Sequence, residues 1–304
     1  MEPKVIQHGG HMIMTNVAKP GKTKFVSIDT KFRDNYSVYG TVSVANFNMS
    51  LPDRITDVRS MMVCSAEIPM SMYNFSDEIG NTYFQLSDPS NNSTSSMIHI
   101  AGGNYDATAL KAAINAKILA ANGVAMDTSG ITVDISGGHM TIVADPSYTG
   151  TIKFNFAVNS DGSADKYNFK RKLGWFLGFR SPSYTVSAST VVKSENFADT
   201  TGLRYVYLVV DEFGKGVQNS FVSPMPSSLV RKNILAKIIF NKSTFPFGSV
   251  IPANNFNGYL LSDRRGYNGK IDVQKLNIQL VDEIGSPVNL NGMDFSFCLE
   301  VEYE

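Results

Sequence analysis

The sequence predicts a mainly β chain: a jelly-roll β-sandwich with a small β-α-β insertion and an extended N-terminal arm. Three observations predict it. Short alternating apolar runs follow one another along most of the 304 residues, and a period of two marks strands with one buried face. One stretch alone, "GGNYDATALKAAINAKILAANG" (102–123), repeats cleanly at helical spacing. The C-terminal run "MDFSFCLEVEYE" sends Phe295, Phe297, Leu299, Val301 and Tyr303 one way and Ser296, Cys298, Glu300, Glu302 and Glu304 the other. A half-buried antiparallel strand requires that alternation.

In chain order, residues 1–30 carry Gly, Pro, Lys and Met without steady periodicity and read as an arm lying on a neighbouring subunit. Residues 31–304 read as the jelly-roll domain, with 98–180 as an inserted β-α-β subdomain. "ITDVRSMMVCSAEIPMSMY" is expected to place Val58, Met62, Cys64, Ala66 and Ile68 on one face and to end at Pro69. "NTYFQLSD" and "SMIHIAGG" follow across a polar turn. Asp106 is placed to cap the helix, Leu110, Ile114 and Ile118 form its apolar stripe, and Gly123 closes it. Gly137-Gly138 between "GITVDIS" and "GHMTIVAD" is a hairpin signal. "TGTIKFNFAV" alternates Ile152, Phe154 and Phe156, and four further strand runs fill the second half.

Composition narrows the function. Hydrophobic residues make up 43% and charged residues 18%, and the 27 basic and 27 acidic side chains cancel. A neutral chain has no general attraction for nucleic acid, and a weakly charged surface suits a protein covered by neighbours. Two cysteines, Cys64 and Cys298, make no disulfide framework; lying in apolar strand-like runs, they read as buried free thiols of a reducing compartment. No apolar run approaches the roughly 18 residues of a membrane span, and the start lacks the apolar core of a secretory signal.

Motifs for chemistry are weak. The Gly-Gly before the helix has no lysine in the first turn, and "NVAKPGKT" has Asn16 where a phosphate loop needs glycine and a strand where it needs a helix. His8 and His11 sit in "HGGH" with no third ligand, while His99 and His139 lie in strands. Asp211-Glu212 and Asp282-Glu283 end strands before turns, and neighbours on an extended chain point apart. "KYNFKRKLGWF" reads as a packed hinge between subdomains, and "DRRGY" as an exposed basic loop. No catalytic, cofactor-binding or metal-binding residue is expected. Basic candidates for contacts with neighbouring subunits are Lys22, Lys24, Arg33, Arg264 and Arg265.

Several stretches in order resemble minor capsid proteins of large icosahedral double-stranded DNA viruses, of the phycodnavirus and mimivirus kind. They are "SIDTKFRDNYSVYGTVSVANFNMSLPDRITDVRSMMVCSAEIPMSMYNF", then "IAGGNYDATALKAAIN" through "KLGWFLGF", and finally "GKIDVQKLNIQLVDEIGSPVNLNGMDFSFCLEVEYE". The resemblance covers about 29–304. It implies a non-catalytic structural subunit, located in the virion capsid and assembled in the host cytoplasm. The implied partners are the major capsid protein and other minor capsid proteins, and homo-oligomers are expected. It leaves open a five-fold penton or a cementing protein under the facets. Two other classes stay in view: a receptor- or carbohydrate-binding sandwich using Trp175 or Tyr184, and a hydrolase using Asp282 or Glu283.

Overall fold

The computed structural model describes residues 5–8, 11–14, 21–34, 44–124, 126–214, 217–218 and 233–304. The chain divides into two compact units, Met1–Met72 with Leu203–Glu304, and Tyr73–Gly202. The 98–180 segment expected as an insertion lies inside the second.

The first unit opens with a hairpin, β1 (Val5–His8) and β2 (His11–Met14), followed by β3 (Lys22–Asp29) and the long β4 (Asn46–Pro69). The second holds β5 (Tyr83–Asp88), β6 (Asn91–His99), α1 (Ala107–Ala120), β7 (Ile131–Ser136), β8 (His139–Ala144), β9 (Thr151–Asn155), α2 (Leu173–Phe176), β10 (Ser183–Ser187) and β11 (Val191–Lys193). The chain then returns to the first unit through β12 (Tyr205–Asp211), β13 (Val217–Gln218), β14 (Ile234–Ile239), β15 (Val250–Asn254), β16 (Leu260–Ser262), β17 (Arg265–Val281) and β18 (Ser296–Tyr303).

Apart from the two-stranded β1–β2 hairpin, the described strands of the first unit form one antiparallel sheet in the order β16-β14-β12-β17-β4-β18-β3, with β15 on β4 and β13 on β17. The sheet is rolled. Ser262 on β16 donates to the Leu235 carbonyl of β14 (3.2 Å) and accepts from the Val63 amide of β4 (3.1 Å), so the outermost strand comes back to the fifth. The main core draws Phe47, Met61, Leu208, Leu235, Ile278 and Phe297 from strands all round that roll. This is the mainly β, jelly-roll-type architecture that period-two alternation calls for. The C-terminal run behaves as read: Phe297, Leu299 and Val301 are buried and their neighbours face outward.

β4 departs from the expected phase. Met61 and Val63 are buried, Met62, Cys64 and Ser65 turn outward, and Ala66 and Ile68 point in again. The cause is a bulge: Cys298 pairs with Ser65 but Leu299 pairs with Val63, so Cys64 is one residue too many. An extra residue in a period-two element shifts every side chain beyond it.

The second unit packs α1, the sheet β10-β9-β5-β6 and the sheet β11-β8-β7 round its own core. α1 forms where expected. The Asp106 carboxylate accepts from the Ala109 amide (2.7 Å), Leu110, Ile114 and Ile118 are buried, and Gly123 follows at φ +75°. Each buried aliphatic contributes about 1.5–3 kcal/mol. Asn115 on α1 fixes the register: its side chain donates to the Val133 carbonyl and accepts from the Val133 amide, both at 2.8 Å. One helix side chain thereby caps part of the free edge of β7. Gly137 and Gly138 both take positive φ, which the tight β7–β8 hairpin needs.

"KYNFKRKLGWF" is not a hinge between units; it lies wholly within the second. Leu173, Leu177 and Phe179 join its core, and Lys172 is buried against Asp165 at 2.9 Å. The glycines of "LGWFLGF" are spatial necessities. A Cβ on Gly174 would stand 2.4 Å from the Phe156 ring, and Gly178, at φ +93°, brings its missing Cβ position within 2.1 Å of the Asn196 carbonyl oxygen.

Candidate functional site: the outer face of the β3 edge

Among the described residues β3 is an edge strand, paired with β18 alone. Directly opposed residues of an antiparallel pair share a face. Thr23 opposes Glu302, Phe25 opposes Glu300 and Ser27 opposes Cys298, all on the outer face. Phe25 is 64% exposed there. The alternation of Val26 and Ile28 already implies its outward position.

Arg264 binds this face together. Its Nη1 donates to Ser60 Oγ and to Glu302 Oε2, each at 3.2 Å, and its Nη2 donates to Glu300 Oε1 at 2.5 Å. Further along, Glu304 accepts from Arg59 and Lys270, and Lys270 stands 3.7 Å from Asp57. Such half-exposed pairs each add at most about 1 kcal/mol. Together they fix the strand ends and set a pattern of charge along an otherwise open edge.

The five basic candidates do not form one cluster. Lys22 and Lys24 are exposed, but they oppose Tyr303 and Val301 and so lie on the other face from Arg264; Lys24 Nζ sits 5.6 Å from the Tyr303 ring centre. Arg33 is buried, donating to the Thr30 carbonyl (2.7 Å) and pairing with Asp294 (3.3 Å), which also accepts from the Thr30 hydroxyl (2.7 Å). Arg265 is fully buried, with Glu212, the Val210 carbonyl and the Asn233 carbonyl as partners. "DRRGY" is an exposed connection at Asp263 and Arg264 only. Its second arginine begins β17 and faces inward, because adjacent residues of a strand alternate. Burial pushes the Glu212 carboxyl up from its ordinary value, and the nearby guanidinium offsets that in part. The expected turn does follow Glu212, with Phe213 at φ 58°.

Other candidates resolve into local chemistry. Asp282 accepts the amides of Ile284 (2.9 Å) and Ser286 (2.8 Å), which organises the turn its sequence implied. His99 pairs with Asp77 at 2.7 Å, and the Thr82 hydroxyl, ahead of His99, holds the Asp77 carboxyl below its usual range. The Arg180 guanidinium lies 3.9 Å from the Trp175 ring centre, and the Tyr184 hydroxyl donates to Glu195 at 2.6 Å. A groove of about 290 Å³ runs beside β6 and α1, lined by Met97, His99, Lys117 and Val124 among others. Among the described residues no three His, Cys, Asp or Glu side chains stand where they could share a metal ion, and no helix is long and apolar enough to cross a membrane.

The two cysteines differ from expectation. Both are half-buried on the outer face and not enclosed in the core. Cys64 Sγ lies 3.3 Å from the Cys298 carbonyl oxygen. Burial, then the Cys64 thiol and the carboxylates of Glu67 and Glu300, push the Cys298 thiol up to about 11.

No family model matches this chain. No curated protein matches it either. Among solved structures, a penton protein of mavirus is similar at 12% identity and a TM-score of 0.44, over 94% of this chain and 100% of that one. A chain of the Sputnik virophage is similar at the same identity and score, over 94% of this chain and 98% of its own length.

Proposed function

We propose that this chain is a non-catalytic structural subunit of an icosahedral DNA-virus capsid, placed at the vertex as a penton or under the facets as a cementing protein. The observation that carries the reading is the β3 edge, where a strand with no further partner among the described residues presents an exposed Phe25 beside an ordered charge network. An unpaired edge with an exposed aromatic invites association, and folded chains protect such edges unless a neighbour covers them. Phe32, just beyond β3, is a second exposed aromatic at 76%. The resemblance of residues 29–304 to minor capsid proteins supports the same reading, with the major capsid protein and other minor capsid proteins as partners.

The glycan-binding alternative draws less support, since Arg180 already covers the Trp175 face on which a sugar ring would stack. The test is chemical cross-linking of purified particles followed by mass spectrometry. Lys22 and Lys24 are expected to link to other capsid chains, and Phe25→Ser should lower incorporation several-fold while leaving the melting temperature of the isolated chain unchanged. A chain that stays monomeric and is missing from particles sinks the proposal.

A further inference from the structure

The bulge in β4 has a chemical consequence. In a regular strand that carries Ala66 inward, residue 64 would also point inward. The extra residue turns Cys64 and Ser65 outward side by side, and Cys298 lies across from them on the same face. Cys64, the extra residue of the bulge, stands beside the Ser65–Cys298 pair, and its Sγ comes within 3.3 Å of the Cys298 carbonyl oxygen. On a bulged strand two residues oppose one on the partner, so Cys64 shares Cys298 with Ser65 and the two thiols are close enough to interact; a disulfide needs Cβ atoms roughly 3.5–4.5 Å apart. Bond formation calls for a closing movement at this already irregular step of the strand. Both thiols are free and half-exposed, so a small reagent can reach them.

We propose that Cys64 and Cys298 are an oxidative modification site, a dithiol that a low-molecular-weight disulfide such as oxidised glutathione converts into a cross-strand disulfide joining β4 to β18. The Cys64 thiolate attacks one sulfur of the small disulfide, whose S–S bond breaks and releases one small thiolate. The Cys298 thiolate then attacks Cys64 Sγ, forming the protein S–S bond and releasing the second small thiolate. The two thiol protons end on the two released thiolates, and the two electrons lost by the protein are gained by the reagent.

Cys298 is assigned the second attack because its surroundings keep it protonated. Cys64 and Glu67 face it from β4, Glu300 lies beside it on β18 with its charge partly met by Arg264, and only the neutral Ser27 opposes it from β3. Closure therefore speeds up as pH rises above neutral. A chain folded among reducing thiols would gain the cross-link on reaching an oxidising medium, and the link would close a loop running through the whole second unit.

The experiment takes the full chain, oxidised glutathione at mildly alkaline pH, and intact-mass and non-reducing peptide analysis. The expected product is a monomer lighter by two hydrogens, with the Cys64 and Cys298 peptides linked. Its melting temperature should rise by on the order of 5–10 °C, reversibly with dithiothreitol. Cys298→Ser should stop at a single glutathione adduct on Cys64 with no gain in melting temperature. Stable adducts on both cysteines, a disulfide between two chains, or two unreacted thiols would overturn the proposal.

Discussion

The Arg265 guanidinium meets the Glu212 carboxylate at 2.8 Å inside the rolled sheet, with both side chains about 1% exposed. The arginine also satisfies the Val210 and Asn233 carbonyls, each at 2.7 Å, so it ties β17 to the end of β12 and to the residue that leads into β14. Removing one partner strands a buried charge. Arg265→Met should cost about 3–5 kcal/mol in urea unfolding, whereas Arg265→Met combined with Glu212→Leu should recover most of that loss. A single mutant within 1 kcal/mol of the parent, on the order of normal surface substitutions, would contradict this.

Acid should weaken the second unit through Asp165. Burial by itself would raise its carboxyl, but hydrogen bonds from Lys172 and Asn168 outweigh that and leave it below the usual range. The folded form then binds its proton less readily than the unfolded chain. Its contribution is present above the unfolded value of about 4 and is lost as pH falls through the lower folded value. Thermal melts across that window should show the fall, and Lys172→Met should flatten it while lowering stability at neutral pH by about 3 kcal/mol.

Gly178→Ala tests the packing of "LGWFLGF". A methyl there would overlap the Asn196 carbonyl oxygen on a backbone already at φ +93°, so a loss above about 3 kcal/mol is expected. Circular dichroism melts would read it, and an unchanged melting temperature would show that the Asn196 loop moves freely aside.

Asp106→Ala removes the acceptor for the Ala109 amide and should cost about 1 kcal/mol. Asp106→Ser should restore most of it, because a hydroxyl oxygen can take the same bond. Hydrogen exchange confined to the first turn of α1 would locate the effect.

Much of this molecule was legible in its residues, and the reasons are local. α1 was readable from Asp106 to Gly123 because capping and the Leu110–Ile114–Ile118 stripe act within a few turns. β18 was readable because its two faces see different solvents along its whole length. The β7–β8 hairpin followed from two glycines that alone tolerate the required φ. Phe25 could be placed outward by the same alternation. The inward turn of Arg265 and Arg33 could not, since an arginine looks equally suited to solvent until its carboxylate partner, 53 or 261 residues away in the chain, is brought to it.

The sequence by itself determined the mainly β class, the helix α1 and the alternation that gives each strand an inside, since these depend on neighbours within a few residues. Only the tertiary structure decided which charges are buried, which of the described strands ends the sheet, and that Cys64 meets Cys298. Those outcomes turn on pairing across long stretches of chain and on one inserted residue in β4, whose shift of phase no local pattern announces.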